Sequence, residues 1–222
     1  STALRQALEV CLNREHIVSG FFSGHGRAAQ FPLSPLSSLY PEELEVPSSA
    51  DAPAQAVHRA AYAPERTLTL LVNGENSFKT AVAGYLADSF TAAGVPVEAR
   101  VLPWEEYAAA LAAGDFDLYY GEVRLTADWD LSPLLSTGGA LNYGGWSNQE
   151  TDTLLAAYGA AENRAAAMEA LCRHLRQQSP ILPVCFKSSS VLTQAGVLEG
   201  LIPTASEPLH NLADCTVHLR EN

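Results

Sequence analysis

Asp128 and Asp130 flank Trp129 in the run Leu125-Thr126-Ala127-Asp128-Trp129-Asp130-Leu131. Paired carboxylates could act as general acid and base. An indole between two anions also suits a ligand that carries an amino group. The competing reading is a solvated loop in which one Asp caps the next helical turn. Other chemistries fail on spacing. Leu70-Leu71-Val72-Asn73-Gly74-Glu75-Asn76-Ser77-Phe78-Lys79-Thr80 ends in Lys-Thr as a phosphate loop does, but Phe78 stands where a glycine is needed and Glu75 would repel phosphate. Gly24-His25-Gly26 follows no strand and has only two glycines, so it is no dinucleotide fingerprint. The six histidines are scattered, and Cys172 and His174, two apart on one helix, point away from each other. No metal or other cofactor is expected. There is no G-x-S-x-G, and no C-x-x-C among Cys11, Cys172, Cys185 and Cys215. Those four read as small buried apolar side chains, with long-range disulfides left open for an exported protein.

The elements that must position the Asp-Trp-Asp run come from a chain of 222 residues, 47% hydrophobic and 17% charged. That is ample for a packed core in one domain or two small ones. No apolar run is long enough for a transmembrane helix. A formal charge of −12 excludes nucleic acid as an expected partner, because such a surface repels phosphate. Leu4, Ala7, Leu8 and Cys11 set a first helix over residues 1 to 18. No charged and then apolar leader precedes it, so the protein is either cytosolic or a piece of something longer. Residues 19 to 66, with six prolines and Phe21, Phe22, Phe31, Leu33, Leu36, Leu39 and Tyr40, predict a long ordered wrap. Within it, Val46 to Ala54 is the most mobile part, and a short helix covers Ala54 to Ala61.

From Thr67 strands and helices alternate. Leu68 to Val72 is nearly continuously apolar, as a parallel strand buried on both faces should be. Phe78, Val82, Tyr85, Leu86 and Phe90 mark one face of a helix that stops at Gly94. Val97 to Val101 alternates as a second strand. Trp104, Tyr107, Ala108 and Leu111 mark a second helix, and Phe116 to Tyr120 makes a third strand. This β-α-β-α-β order predicts an α/β fold with a parallel sheet core. Beyond it lie a helical turn near Leu131 to Leu135, a helix capped by Asn148 or Thr151, and a helix from about Glu162 to Gln177. A strand from Ile181 to Phe186 follows, then extended pieces over Val191 to Leu201 and Cys215 to Leu219.

Six segments, in order, resemble the C-terminal lobe of the extracellular solute-binding proteins of peptide and nickel type (family 5) that serve ABC importers. Leu4-Arg5-Gln6-Ala7-Leu8 with Asn13-Arg14-Glu15-His16-Ile17 resembles that family's first helix, and Gly24 to Tyr40 its Gly- and Pro-rich wrap. Thr67-Leu68-Thr69-Leu70 is similar to its first strand. Trp104-Glu105-Glu106-Tyr107, followed by Gly114-Asp115-Phe116-Asp117-Leu118, resembles its next helix and strand. Gly145-Trp146-Ser147-Asn148-Gln149-Glu150-Thr151-Asp152 with Thr153-Leu154-Leu155 resembles its "GYSNPEVDALL" run, and Ser179-Pro180-Ile181-Leu182-Pro183-Val184 its late strand.

The resemblance implies one lobe of a periplasmic-binding-protein-like (type II) fold, with a mixed sheet on a parallel core flanked by helices. Residues 1–222 would be that single lobe, and the N-terminal lobe of the parent protein would be a partner not contained in this sequence. It implies capture of an oligopeptide or dipeptide without chemical conversion, delivery to the membrane permease of an ABC importer, and an exported parent at the cell surface or in the periplasm, lipid-anchored in many members. Family members often hold a peptide's α-amino group with an Asp in the stretch after the third strand. Here that role falls to Asp128 or, second, Asp130. Arg124 could meet a carboxylate or neutralise Glu122. Asn142 and Tyr143, in a Gly-rich loop, could add hydrogen bonds and stacking, while Tyr120 and Trp129 face either a cleft or the core. Nickel complexes and sugar oligomers are the variant cargoes. Two other classes compete: a ligand-sensing lobe of a transcriptional regulator, and a small α/β hydrolase or transferase using Asp128 and Asp130.

Overall fold

The computed structural model describes residues 1–47, 52–204 and 207–218. The chain divides into two units, Ser1–Phe186 and Lys187–Asn222. The first opens with helices α1 (Thr2–Val10) and α2 (Arg14–Phe21) and strand β1 (Gly26–Ala28), followed by α3 (Ala52–Arg59). Then β2 (Leu68–Asn73), α4 (Ser77–Ala92), β3 (Val97–Leu102), α5 (Trp104–Ala113) and β4 (Leu118–Tyr120) alternate. Helices α6 (Ser132–Leu135), α7 (Gln149–Ala160) and α8 (Arg164–Gln178) follow, and β5 (Cys185–Lys187) closes the run beside β1.

The opening segment forms two helices where periodicity predicts one. Asn13 is the reason: its side chain accepts from the backbone N–H of His16 at 3.0 Å, which starts a new helix after Val10. The third strand starts at Leu118, not at Phe116. Asp117 holds its own carboxylate to the N–H of Thr69 at 2.8 Å and pairs with Arg66 at 2.5 Å, so it anchors the strand's entry. The wrap carries β1, a 3-10 turn at Glu42–Leu44 and the buried Phe31, Leu33 and Tyr40. Of the stretch expected to be mobile, residues 48–51 lie outside the described residues. The helix expected over Ala54 to Ala61 runs two residues earlier, as α3.

The central sheet is parallel with order β3-β2-β4. Leu68 pairs with Val97, Asn73 with Leu102, and Leu70 with Leu118. Residues of β2 alternate between faces. Leu70 and Val72 pack into a core with α1, α3 and the Val82, Ala83, Leu86 and Phe90 face of α4. Leu71 packs on Tyr107, Ala110 and Leu111 of α5. Leu70, Leu71 and Val72 are all buried. Removing each from water contributes about 1.5–3 kcal/mol, which is why a strand with the apolar run Leu70-Leu71-Val72 occupies the middle of an α/β/α sandwich.

A second core joins the wrap to the later helices through Phe31, Leu33, Leu131, Leu135, Tyr158, Met168 and Leu171. Arg14 crosses between them, donating from Nε to the carbonyl of Pro183 at 2.8 Å and standing 3.6 Å from Glu9. Burial lowers its pKa below the usual guanidinium value. The second unit carries β6 (Leu198–Glu199) antiparallel to β7 (Thr216–Val217). Asn211 braces it, donating to the carbonyl of Gly200 at 2.7 Å. Leu219, expected to extend the last strand, lies outside the described residues. Among the described residues, no helix is long and apolar enough to cross a membrane.

Candidate ligand-binding edge

Ligands of open parallel sheets bind beyond the carboxyl ends of the strands, where loops are free to vary over a fixed frame. Three junctions meet at that edge here: Asn73 to Asn76 after β2, Pro103 after β3, and Gly121 to Leu131 after β4. The first is locked against the second. A side chain at Gly74 would place its Cβ 2.8 Å from Val101 and 3.3 Å from the Leu102 carbonyl, so only glycine lets its N–H reach that carbonyl at 2.7 Å. Glu75 then accepts from the N–H of Trp104 at 3.1 Å and so occupies the start of α5. Asn76 caps α4 through the N–H of Lys79 at 3.0 Å. The Lys79 ammonium in turn meets Glu122 at 3.1 Å, tying the first junction to the third.

The loop after β4 is held from below. Tyr158 on α7 is buried, and its hydroxyl donates to the Asp128 carbonyl at 2.5 Å. Trp129 sits at φ +57°, a left-handed conformation that costs a non-glycine residue about 1–2 kcal/mol. Its N–H bonds the Thr126 carbonyl at 3.1 Å, and its ring packs edge-on to Phe186 at 5.9 Å. The two acids have different partners. The Asp130 carboxylate accepts from the N–H of Ser132 at 2.9 Å, at the entry to α6. Asp128 is exposed, and the Thr126 hydroxyl holds its carboxyl below the usual range, with Arg164 contributing more weakly.

The remaining candidates fall around the same strand. Tyr120 is half-buried on the α4 side of β4, and burial raises its hydroxyl pKa above the usual phenol value. Glu122 and Arg124 are exposed. Tyr143 lies edge-on to Tyr119 at 6.2 Å, on the α5 side. Asn142 staples its own loop: its amide donates to the carbonyls of Ser136 at 3.0 Å and Trp146 at 2.6 Å and accepts from the N–H of Trp146 at 2.8 Å. Glu122 is thus brought to Lys79 and Asp128 to Tyr158, while Asp128 and Tyr143 are held by different elements.

Two expectations are corrected. Phe78 and Trp104 are placed by periodicity on the inward faces of their helices, yet they are 59% and 51% exposed. Each occupies the first turn of its helix, past the end of the sheet, where no strand lies beneath it. Trp104 stacks obliquely on Tyr107 at 6.0 Å, and the buried Tyr107 hydroxyl donates to the Tyr120 carbonyl at 3.2 Å. Burial pushes the Tyr107 hydroxyl up to about 12, with Tyr119 and Tyr143 adding to the effect. Sequence reasoning did not name Trp104, Phe78, Glu75 or Tyr158 as site residues. For the first three the signal is positional, an aromatic or acidic residue soon after a strand; Tyr158, near the end of α7, carries no such signal.

The family model described as bacterial extracellular solute-binding proteins, family 5 Middle, matches residues 1–171. The oligopeptide-binding protein AppA of Bacillus subtilis is 26% identical over 172 residues, covering 68% of this chain and 32% of that protein. Its structure in complex with a nonapeptide superposes with a TM-score of 0.75 at 21% identity, over 99% of this chain and 48% of that one. The murein tripeptide binding protein MppA of Escherichia coli gives a TM-score of 0.75 at 22% identity, over 90% of this chain and 42% of that one. A nickel–histidine complex of NikZ from Campylobacter jejuni gives 0.72 at 15% identity, over 90% and 44%. The chain thus spans about a third of the curated relative and just under half of the solved ones.

Proposed function

The chain belongs to the bacterial extracellular solute-binding proteins of family 5, and from that premise we propose that it forms one lobe of a two-lobed binder that captures a short peptide and passes it on unchanged. The carboxyl edge of the β3-β2-β4 sheet is the face it presents to ligand. The observation that carries this reading is the exposed Asp128, its carboxyl held below the usual range by the Thr126 hydroxyl and its loop clamped by Tyr158, at the mouth of a parallel sheet. A carboxylate so fixed suits a peptide's α-amino group. Arg124, earlier on the same loop, and Tyr143, on a separate loop, are the groups this reading assigns to a carboxylate and to stacking. The names of the relatives support binding over catalysis, since each is called a binding protein or is described holding its ligand.

The mechanism is closure. A ligand that touches both lobes favours the closed state by the difference in its affinity for the closed and open forms. An importer permease is the partner that would receive the cargo, outside the cytoplasmic membrane. Isothermal titration of the intact gene product with pools of three- to nine-residue peptides tests the reading. Saturable heat that is lost in Asp128→Asn and on N-acetylation of the peptide supports it. Heat only with nickel–histidine complexes or with sugars would overturn it.

A further inference from the structure

The α5 side of the binding edge carries an aromatic face that the amino-group reading leaves unused. Trp104 is 51% exposed and Tyr143 40%. Each adjoins the core on that side of the sheet, which holds Tyr107 and Tyr119: Trp104 lies 6.0 Å from Tyr107, and Tyr143 lies 6.2 Å from Tyr119. The two pairs meet at Gly121, where a Cβ would stand 3.1 Å from the Tyr119 ring and 3.6 Å from the Tyr107 hydroxyl. Gly121 therefore lets the first residue after β4 pass close against the Tyr119 ring and the Tyr107 hydroxyl.

Charge decides what such a face attracts. The three junctions of the edge, with the first turns of α4 and α5, hold six carboxylates, Glu75, Glu105, Glu106, Glu122, Asp128 and Asp130, against Lys79 and Arg124. Lys79 is already paired with Glu122. Glu75 touches the N–H of Trp104, and Glu105 and Glu106 extend from the same helical turn, exposed. The start of α5 carries about half a positive charge from its unpaired N–H groups. Three carboxylates around it outweigh that, so the field beside the indole is negative. Aromatic faces bordered by carboxylates bind guanidinium and ammonium groups and disfavour anions.

Resting on the peptide reading above, we propose that Trp104 and Tyr143, with Glu75 beside them, form a side-chain subsite that selects peptides carrying arginine or lysine, while Glu105 and Glu106 on neighbouring faces of the same turn add to the negative field. The amino terminus goes to Asp128, on the loop after β4, and the basic side chain goes to the Trp104 face.

The test is isothermal titration of the intact gene product with alanine pentapeptides that carry a single arginine at each position in turn, and with matching methionine and glutamate sets. At one position arginine binds about tenfold more tightly than methionine, glutamate binds more weakly than both, and the arginine advantage shrinks as salt rises. In Trp104→Leu and in Glu105→Gln/Glu106→Gln, both checked for folding by circular dichroism, the arginine-to-methionine ratio falls below about threefold. Equal affinities for arginine and methionine at every position, or a ratio unmoved by both variants, overturn the subsite while peptide binding itself stands. No binding by any pentapeptide overturns the peptide reading and the subsite with it.

Discussion

Thr151→Val tests the packing behind the loop that presents Tyr143. Thr151 is 0% exposed; its hydroxyl accepts from Trp146 Nε1 at 3.2 Å and lies 2.9 Å from His174 Nε2. His174 is 4% exposed, and among the described residues its Nδ1 has no hydrogen-bond partner, a carboxylate oxygen of Glu150 standing 3.4 Å away. Thr151 thus supplies the imidazole's hydrogen bond. Valine keeps the shape and removes the oxygen. Losing the Trp146 bond costs about 1 kcal/mol, and a ring nitrogen stranded in a dry site costs about 1–3 kcal/mol more. The expected loss is about 2–4 kcal/mol, read by urea denaturation followed through tryptophan fluorescence. Thr151→Ser recovers most of it. Thr153→Val, where the hydroxyl bonds the Gln149 carbonyl on the exposed side of α7, changes stability by under about 0.5 kcal/mol. A Thr151→Val protein within about 0.5 kcal/mol of the parent would refute the reasoning, because the imidazole would then have another partner.

Gly139→Ala drives a Cβ to 2.6 Å from the Pro133 carbonyl and 2.7 Å from that of Ser132. The Asn142–Tyr143 loop must shift, with a loss of about 1–3 kcal/mol by thermal melting; an unchanged melt would contradict the packing. Tyr158→Phe removes the bond to the Asp128 carbonyl and costs about 0.5–1.5 kcal/mol. It also loosens the strained Trp129 turn, so peptide affinity should fall several-fold; an affinity equal to the parent's would count against the clamp. Asp117 is held below the ordinary carboxyl range by the Arg66 guanidinium and the Thr69 N–H. Its contribution is therefore present above about pH 4 and lost as pH falls through the lowered folded value. In stability profiles from pH 7 to 2, Asp117→Asn should lie below the parent by a constant gap at neutral pH that narrows in acid; a gap that persists to pH 2 would exclude this linkage.

The parallel core was legible because its signals are local. An apolar run from Leu68 to Val72 buried on both faces and a glycine stop at Gly114, φ +69°, need nothing from distant residues. The cap at Asn148, which accepts from the Thr151 N–H at 2.9 Å, was equally readable. The break at Asn13 was not, since an apolar periodicity of 3.6 runs through it and only the side-chain bond to His16 marks the new start. Strand β1 was missed because Gly26–Ala28 owes its conformation to β5, about 160 residues later in the chain. At the binding edge, the Asp-Trp-Asp run was readable as a pair of acids. Which carboxylate meets the Ser132 N–H and which the Thr126 hydroxyl depends on how the loop folds, and that was not readable. The outward Phe78 and Trp104 defeat a periodicity argument for a simple reason: a helix's first turn can keep the apolar phase of the core after the core has ended.

Asp128 as the anchor of a peptide's amino terminus is the claim on which the binding account turns. Calorimetry of the intact gene product with one short peptide, free and N-acetylated, measures it directly across the parent and Asp128→Asn. The account predicts that acetylation weakens binding at least about tenfold in the parent and hardly at all in the variant, a coupling of about 1.4 kcal/mol between the two groups. Equal losses on acetylation in both proteins would contradict it.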